Sequence, residues 1–305
     1  MKCIITEKFH ESGIELLKEH GTVDVRYNIS REDLLNCIDK YDVLIVRSDT
    51  PVNKELIDRG KNLKVVGMAG IGLNHIDLEY CKEKGIAVFN VPDGSNDSVA
   101  ELTIGLLICI CRKMYNAIND VKKDHWDKTG YMGNQLKGKT IGLVAIGKIG
   151  SRVAKLCQAF GMKVIAYDPF IDPSVATEMN VELMALEDLL KTADIVSMHV
   201  PLTPQTYHMI GKEQLDMMKD GAYIINLGRG GLIDEDALYD ALVNGKLKGA
   251  AVDVMEKEPP GHSKLFELDN FICTPHIGAG TIEAQQYIAE SLANKVINHL
   301  KSLNA

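Results

Sequence analysis

Three segments late in the chain carry side chains whose types suit proton and hydride chemistry. NLGRGG (226–231) sets Arg229 between Gly228 and Gly230, just beyond the apolar run AYIINL. AVDVMEKEPP (251–260) puts Asp253 at the end of a β-rich run and Glu258 before two prolines. TPHIGAGT (274–281) puts His276 after another such run, directly before a glycine-rich turn. Ligands of open α/β sheets bind beyond the carboxyl ends of the strands. A guanidinium flanked by glycines there can fork onto a carboxylate. An imidazole can take a hydroxyl proton and return it, and a neighbouring carboxylate can orient the ring. The three together suit hydride chemistry on a 2-hydroxy acid, with the arginine on the carboxylate and the C2 oxygen. Singly, each has an ordinary structural account, such as one histidine among nine.

Hydride needs a carrier, and residues 142–150 read GLVAIGKIG. In the dinucleotide fingerprint the first glycine makes a tight turn, the second admits the pyrophosphate, and the third lets helix and strand pack closely. Gly147 and Gly150 fill the second and third roles, while Ala145 stands in the first. A methyl group there is tolerable only if φ stays negative. The loop follows the apolar strand Ile141–Val144 and opens the helical run KIGSRVAKLCQAFG. The next strand, KVIAY, ends in Asp168, about 20 residues on, where an acid holds the adenosine ribose. An acid also repels a 2′-phosphate, which favours NAD over NADP. The loop alone is nearly as well explained as a structural turn; with strand, helix and Asp168 in register, the cofactor reading wins.

The elements that position these residues follow from strand–helix alternation. CIIT (3–6), VDVRY (23–27), VLIV (43–46), KVVGM (64–68) and AVFNV (87–91) are separated by segments of helical spacing. A long helical stretch from about Asn96 to Lys123 follows, and the alternation restarts at KTIGLVA (139–145). Further strands are expected at KVIAY (163–167), IVSMHV (195–200), AYIINL (222–227), GAAVDV (249–254) and FICTP (271–275). The fold class is therefore α/β, two domains with parallel sheets, and a cleft between such domains is a common ligand site. A length of 305 residues suits two domains of roughly 150 residues each. A net charge of −8 argues against a nucleic-acid surface. The longest apolar stretch, LTIGLLICIC (102–111), is short of the roughly 20 residues of a membrane span and reads as a buried helix. MKCIITEKFH lacks a secretory pattern, so a cytoplasmic protein is expected. Seven cysteines without framework spacing read as buried thiols, and no metal site is expected.

These segments resemble the D-isomer-specific 2-hydroxyacid dehydrogenase family. GLVAIGKIG…YDP, ADIVSMHVPLTPQT, INLGRGGLIDEDAL, DVMEKEPP and TPHIGAGT match its motifs in order, as does VVGMAGIGLNHIDLEYCKEKGIAVFNVP in the first half. The resemblance implies two Rossmann-like or flavodoxin-like domains, with the cofactor domain (98–283) inserted into a substrate domain (1–97 and 284–305). It implies catalytic roles for Arg229, Glu258 and His276. It implies NAD contacts from Gly147, Lys148, Ile149, Asp168, Val200, Pro201, Leu227, Gly228, Arg229, Asp253, His276, Gly278 and Ala279, with Asp253 on the nicotinamide amide. The turn Ala69, Gly70, Ile71 and Gly72 would offer backbone N–H groups to the substrate carboxylate. A homodimer built on the cofactor domain, through the apolar helix near 98–120, is implied as well.

Within the family, LIVRSDTPV (44–52) and HWDKTGYMGNQLKGKTIG (125–142) resemble the branch that acts on phosphoglycerate. There Arg47 would approach the substrate phosphate, and Lys128 stands where an arginine is frequent, keeping the charge without the bidentate fork. At PDGSNDSVAEL (92–102) Ser95 and Asn96 reverse the usual order. The chain ends at Ala305, so serine feedback through a C-terminal regulatory domain is not expected. A hydroxypyruvate, glyoxylate or other 2-keto acid reductase is the rival within the family, and Glu258 disfavours the formate branch, which has Gln. The rival of another class is an NAD(H)-sensing corepressor-like protein, which can keep the same Arg, Glu and His.

Overall fold

Short runs of Val, Ile and Leu, each with a helix after it, assemble into two all-parallel sheets. The computed structural model describes residues 1–303. They fall into two compact units, Met1–Ser95 joined by the stretch from Ala279 onward, and Asn96–Gly278. The units change over at 95/96 and 278/279, where the sequence reading sets 97/98 and 283/284.

The first unit holds β1 (Lys2–Ile5), β2 (Thr22–Val25), β3 (Val43–Val46), β4 (Val65–Met68) and β5 (Ala87–Phe89), in the order β2-β1-β3-β4-β5. Side chains alternate between faces along a strand, so Cys3 and Ile5 face one layer and Ile4 the other. Helices Glu11–Lys18 and Ile282–Leu303 cover the first face, burying Ile14, Leu17, Ile288, Leu292 and Val296 against Ile5, Val43 and Ile45. The crossing is close: a Cβ on Gly13 would lie 2.7 Å from Cβ of Ala289. Leu34, Ile38, Leu56 and Cys81 cover the other face. β3 and β4 are thus buried on both faces, which is why they read as unbroken apolar runs, while the edge strand β2 keeps exposed ends and an aspartate.

The second unit holds β6 (Thr140–Val144), β7 (Lys163–Tyr167), β8 (Glu182–Leu183), β9 (Ile195–Met198), β10 (Ala222–Asn226), β11 (Leu247–Val252) and β12 (Phe271–Cys273). Their order is β12-β11-β10-β9-β6-β7-β8, the doubly wound pattern, whose order reverses between β6 and β9. The two-residue β8 is too short to show as a periodic run.

The long helix expected to reach Lys123 is instead broken into Asn96–Cys111 and Met114–Val121. Lys113 adopts a left-handed φ of 52°, and Asn134 N–H donates to the Cys111 carbonyl at 2.8 Å. A Cβ at Gly133 would lie 2.3 Å from that same oxygen. The returning chain takes the carbonyl that a further turn of helix would have used. All seven cysteines are free, and burial pushes the Cys111 thiol up to about 12. Among the described residues no helix is long and apolar enough to cross a membrane.

Candidate active site

The loop after β6 begins with Ala145, and here the structure corrects the sequence reading. Its φ is 74°, not negative. Ala145 N–H donates to the Tyr167 carbonyl at 2.8 Å, and Ile146 N–H to Asp168 Oδ2 at 3.0 Å. A Cβ on Gly150 would lie 2.3 Å from the Ala145 carbonyl oxygen. The turn is therefore held from three sides in a conformation that glycine adopts freely, and alanine there costs about 1 kcal/mol.

The rest of the loop fits a dinucleotide. Gly147 precedes the helix Lys148–Ala159, whose N-terminus has no side-chain cap. A Cβ on Gly147 would meet nothing within 4 Å, so the glycine leaves open space in front of backbone N–H groups suited to an anion. Lys148 and Ile149 form the first turn of this helix. Asp168, just past β7, accepts the N–H groups of Ile146 and Phe170 (3.0 Å to Oδ1). Each oxygen keeps capacity for a hydroxyl donor. Val200 and exposed Pro201 follow β9, the neighbour of β6.

Arg229 is placed by Asn226, the last residue of β10. Buried Asn226 accepts Gly228 N–H at Oδ1 (3.0 Å) and donates from Nδ2 to the Arg229 carbonyl (2.9 Å). Leu227 is buried between them. The guanidinium bonds its own chain at the Gly228 carbonyl, 2.7 Å away. Burial lowers the Arg229 pKa from its ordinary value, and the charge of Glu258 works against that. The next residue has to be glycine: a Cβ on Gly230 would sit 1.8 Å from the Met255 carbonyl oxygen.

Asp253, one residue past β11 and buried, carries the next loop. Its Oδ1 accepts Thr274 Oγ1 at 2.5 Å and Ile277 N–H at 2.9 Å, and its Oδ2 accepts Gly278 N–H at 2.7 Å. Its carbonyl accepts His276 N–H at 2.9 Å. The carboxylate expected on a cofactor amide is thus bonded three times to the segment that carries His276. Ala279, half-buried, begins the other unit.

Glu258 and His276 meet directly, with Nδ1 to Oε2 at 2.7 Å. Met255 N–H holds the other carboxylate oxygen at 3.1 Å. Burial pushes the Glu258 carboxyl up, yet the His276 bond and charge, Met255 N–H and Arg229 together hold it below its ordinary range. His276, at a φ of 53°, keeps Nε2 without a partner among the described residues. Three loops on three strand ends thus bring a fixed cation, an ionised carboxylate and an imidazole into one electrostatic group.

The first unit presents Arg47 just beyond β3. Of the turn 69–72, two donors are spent internally: Ala69 N–H on the Val46 carbonyl (2.8 Å) and Gly70 N–H on that of Met68 (2.9 Å). Ile71 and Gly72 keep theirs, so only half of the expected anion-binding turn is available. Ser95 and Asn96 are both buried, and Asn96 Oδ1 has no partner. Lys128 is exposed in a turn that Asp127 closes onto Thr129 and Gly130; no hydrogen bond or ion pair among the described residues joins it to Arg229, Glu258 or His276. Sequence reasoning missed Asn226 and Thr274. The readable signal was a polar residue ending an apolar strand, as in AYIIN.

Residues 104–278 match the model of the D-isomer specific 2-hydroxyacid dehydrogenase, NAD binding domain. The chain is 47% identical over 297 residues to a D-3-phosphoglycerate dehydrogenase of Methanocaldococcus jannaschii, covering 97% of this chain and 57% of that one. It is 45% identical over 300 residues to a hydroxypyruvate reductase of Thermotoga maritima, covering 97% of each. It thus spans about half of the phosphoglycerate dehydrogenases it matches, between 48% and 58% of their length, and nearly all of the reductase. Among solved structures, D-lactate dehydrogenase from Aquifex aeolicus, complexed with NAD and lactic acid, aligns with a TM-score of 0.87 at 33% identity, covering 98% of this chain and 96% of that one. The chain belongs to the D-isomer specific 2-hydroxyacid dehydrogenase family, and its second unit is that family's NAD-binding domain.

Proposed function

We propose that the protein oxidises D-3-phosphoglycerate to 3-phosphohydroxypyruvate, the entry step to phosphorylated serine synthesis, and catalyses the reverse reduction. The carrying observation is the 2.7 Å bond between Glu258 and His276 on the NAD-binding unit. The 145–150 loop and Asp168 would hold NAD, which would supply the hydride acceptor. Glu258 fixes Nδ1 of the imidazole, which leaves Nε2 to take the C2 hydroxyl proton and return it in reduction. Arg229, already desolvated, binds the carboxylate and polarises the C2 oxygen. In the first unit Ile71 and Gly72 keep N–H groups suited to an anion and Arg47 is the cation for the phosphate; in the second Lys128 is a further candidate cation.

The substrate reading is supported by Arg47 and by the resemblance to phosphoglycerate dehydrogenases at 38–47% identity. The second reading, hydroxypyruvate reduction, is favoured by the Thermotoga relative, which this chain matches along 97% of its length. Turnover of 3-phosphohydroxypyruvate and of hydroxypyruvate with NADH separates them. A higher kcat/KM on the phosphorylated acid, lost in Arg47→Ala, supports the first. Equal or better turnover of hydroxypyruvate, unmoved by that change, replaces it with the second.

A homodimer through the second unit belongs to the same proposal. Met114, Ile118 and Val121 on the helix Met114–Val121, with Trp126 and Met132 beyond it, leave large apolar side chains exposed, Trp126 at 75% and Met132 at 82%. Met114, Ile118 and Val121 repeat at helical spacing, and exposed apolar side chains on one helix face suit an association surface. Sedimentation tests it: a dimer that Trp126→Glu with Met132→Glu turns into monomer. Cytoplasmic residence suits seven free thiols.

A further inference from the structure

In the first unit the strand order reverses between β1 and β3, which pair in parallel with Ile5 opposite Ile45. The chain leaving β1 reaches across this switch point and grips the loop leaving β3. Glu7 Oε1 accepts Arg47 N–H at 2.9 Å and Thr50 N–H at 3.1 Å, and Oε2 accepts Asp49 N–H at 3.1 Å. Thr6 adds its N–H on the Ile45 carbonyl at 3.1 Å and a hydroxyl contact with Thr50 at 3.0 Å. One carboxylate thus takes three of the four backbone donors of residues 47–50. Ser48 and Asp49 are exposed and give the loop no apolar anchor. The Arg47 guanidinium has no ion pair or hydrogen bond among the described residues, although a carboxylate lies against its own backbone.

We infer that Glu7 is the positioning residue for recognition of the substrate's phosphate, fixing the 47–50 backbone so that Arg47 presents an unpaired cation. This rests on the phosphorylated-substrate reading above. Three N–H groups absorb the charge of Glu7, so the carboxylate organises the loop without capturing the guanidinium. A loop held in its binding conformation loses less entropy when the anion arrives. Glu7 would then discriminate phosphorylated from unphosphorylated 2-keto acids without touching either.

The test compares wild type, Glu7→Gln, Arg47→Ala and the double variant, each with 3-phosphohydroxypyruvate and with hydroxypyruvate. Glutamine keeps the shape but turns a donor toward an N–H group. Glu7→Gln is expected to raise KM for the phosphorylated acid about tenfold, with kcat and the hydroxypyruvate KM within about twofold. In the Arg47→Ala background it should add nothing. An equal KM rise on both substrates, or a full extra loss on Arg47→Ala, overturns the inference. Arg47→Ala collapsed with Glu7→Gln unchanged also overturns it, and leaves the substrate reading standing. Arg47→Ala without effect removes the substrate reading itself. Should Glu7→Gln fail to fold, Glu7→Asp carries the same comparison, because it keeps the charge and shortens the reach.

Discussion

Asp253 N–H donates to the Asn226 carbonyl at 2.9 Å, so two buried polar residues ending adjacent strands are locked together. From that junction Asn226 holds the Arg229 loop and Asp253 the His276 segment. The reacting side chains sit on exposed loops, but their anchors are inside the fold. Preorganisation of this kind lets a charged site keep its geometry without a ligand.

Asp253→Asn is the direct test of that anchoring. Asparagine offers one acceptor in place of two and sets an amide donor against an N–H group of Ile277 or Gly278. Loss of such a bond in a buried setting costs about 1–3 kcal/mol. The expected result is a lower melting temperature with kcat reduced at least about tenfold, because the His276 backbone is displaced. Thr274→Val, which removes only the hydroxyl donor to Oδ1, should show a smaller loss in the same direction. Unchanged kcat in both variants would detach Asp253 from catalysis.

The strained turn supplies a second prediction. Ala145→Gly should stabilise the fold by about 1 kcal/mol, because glycine accepts the positive φ. If the turn keeps this φ with NAD bound, the dissociation constant moves by less than tenfold. Gly150→Ala should do the opposite, since its Cβ would strike the Ala145 carbonyl at 2.3 Å. Thermal melts and NAD titrations of the two variants check this. A destabilised Ala145→Gly would mean that the alanine methyl makes contacts outweighing its strain.

Much of this was legible in the sequence. The apolar runs announced eleven of the twelve strands among the described residues, most plainly the central ones buried on both faces; β8 escaped because two residues show no period. Arg229, Glu258, His276 and Asp168 were readable from their places after strands. The sign of φ at Ala145 was not, since it depends on Gly150 closing from the far side of the turn. Nor was the inward use of the Asp253 carboxylate, because no spacing rule says which neighbouring loop an acid will bind. The break at Lys113 likewise depends on a segment that returns some twenty residues later, at Gly133 and Asn134.

Removal of the acid–base group should be costly. His276→Asn is expected to lower kcat by roughly 10²–10⁴-fold with NAD binding retained. Glu258→Gln keeps a neutral acceptor near Nδ1 and should lose less. Because Glu258 is held below its ordinary value of 4.5, its carboxylate is ionised throughout the neutral range. The pH–rate profile should therefore contain no step from Glu258 above pH 4.5. A step in that range that disappears in Glu258→Gln would contradict the electrostatics of the site.

His199, one residue past β9, gives a pH prediction for stability. Burial pulls its pKa from 6.5 down to about 4, and its ring sits 3.0 Å from the Ser197 hydroxyl, beside Gly150. The unfolded chain binds a proton as pH falls through 6.5, while the folded one resists until about 4. Folding stability therefore declines across that window, being complete above 6.5 and lost toward 4. At 1.36 kcal/mol per unit the loss is at most about 3.4 kcal/mol, and less because His199 as a residue is only half-buried. Denaturant unfolding at pH 7, 6, 5 and 4 should show the decline, and His199→Gln should flatten it. If the variant's slope between pH 6.5 and 4 matched the wild type's, another group would own the effect.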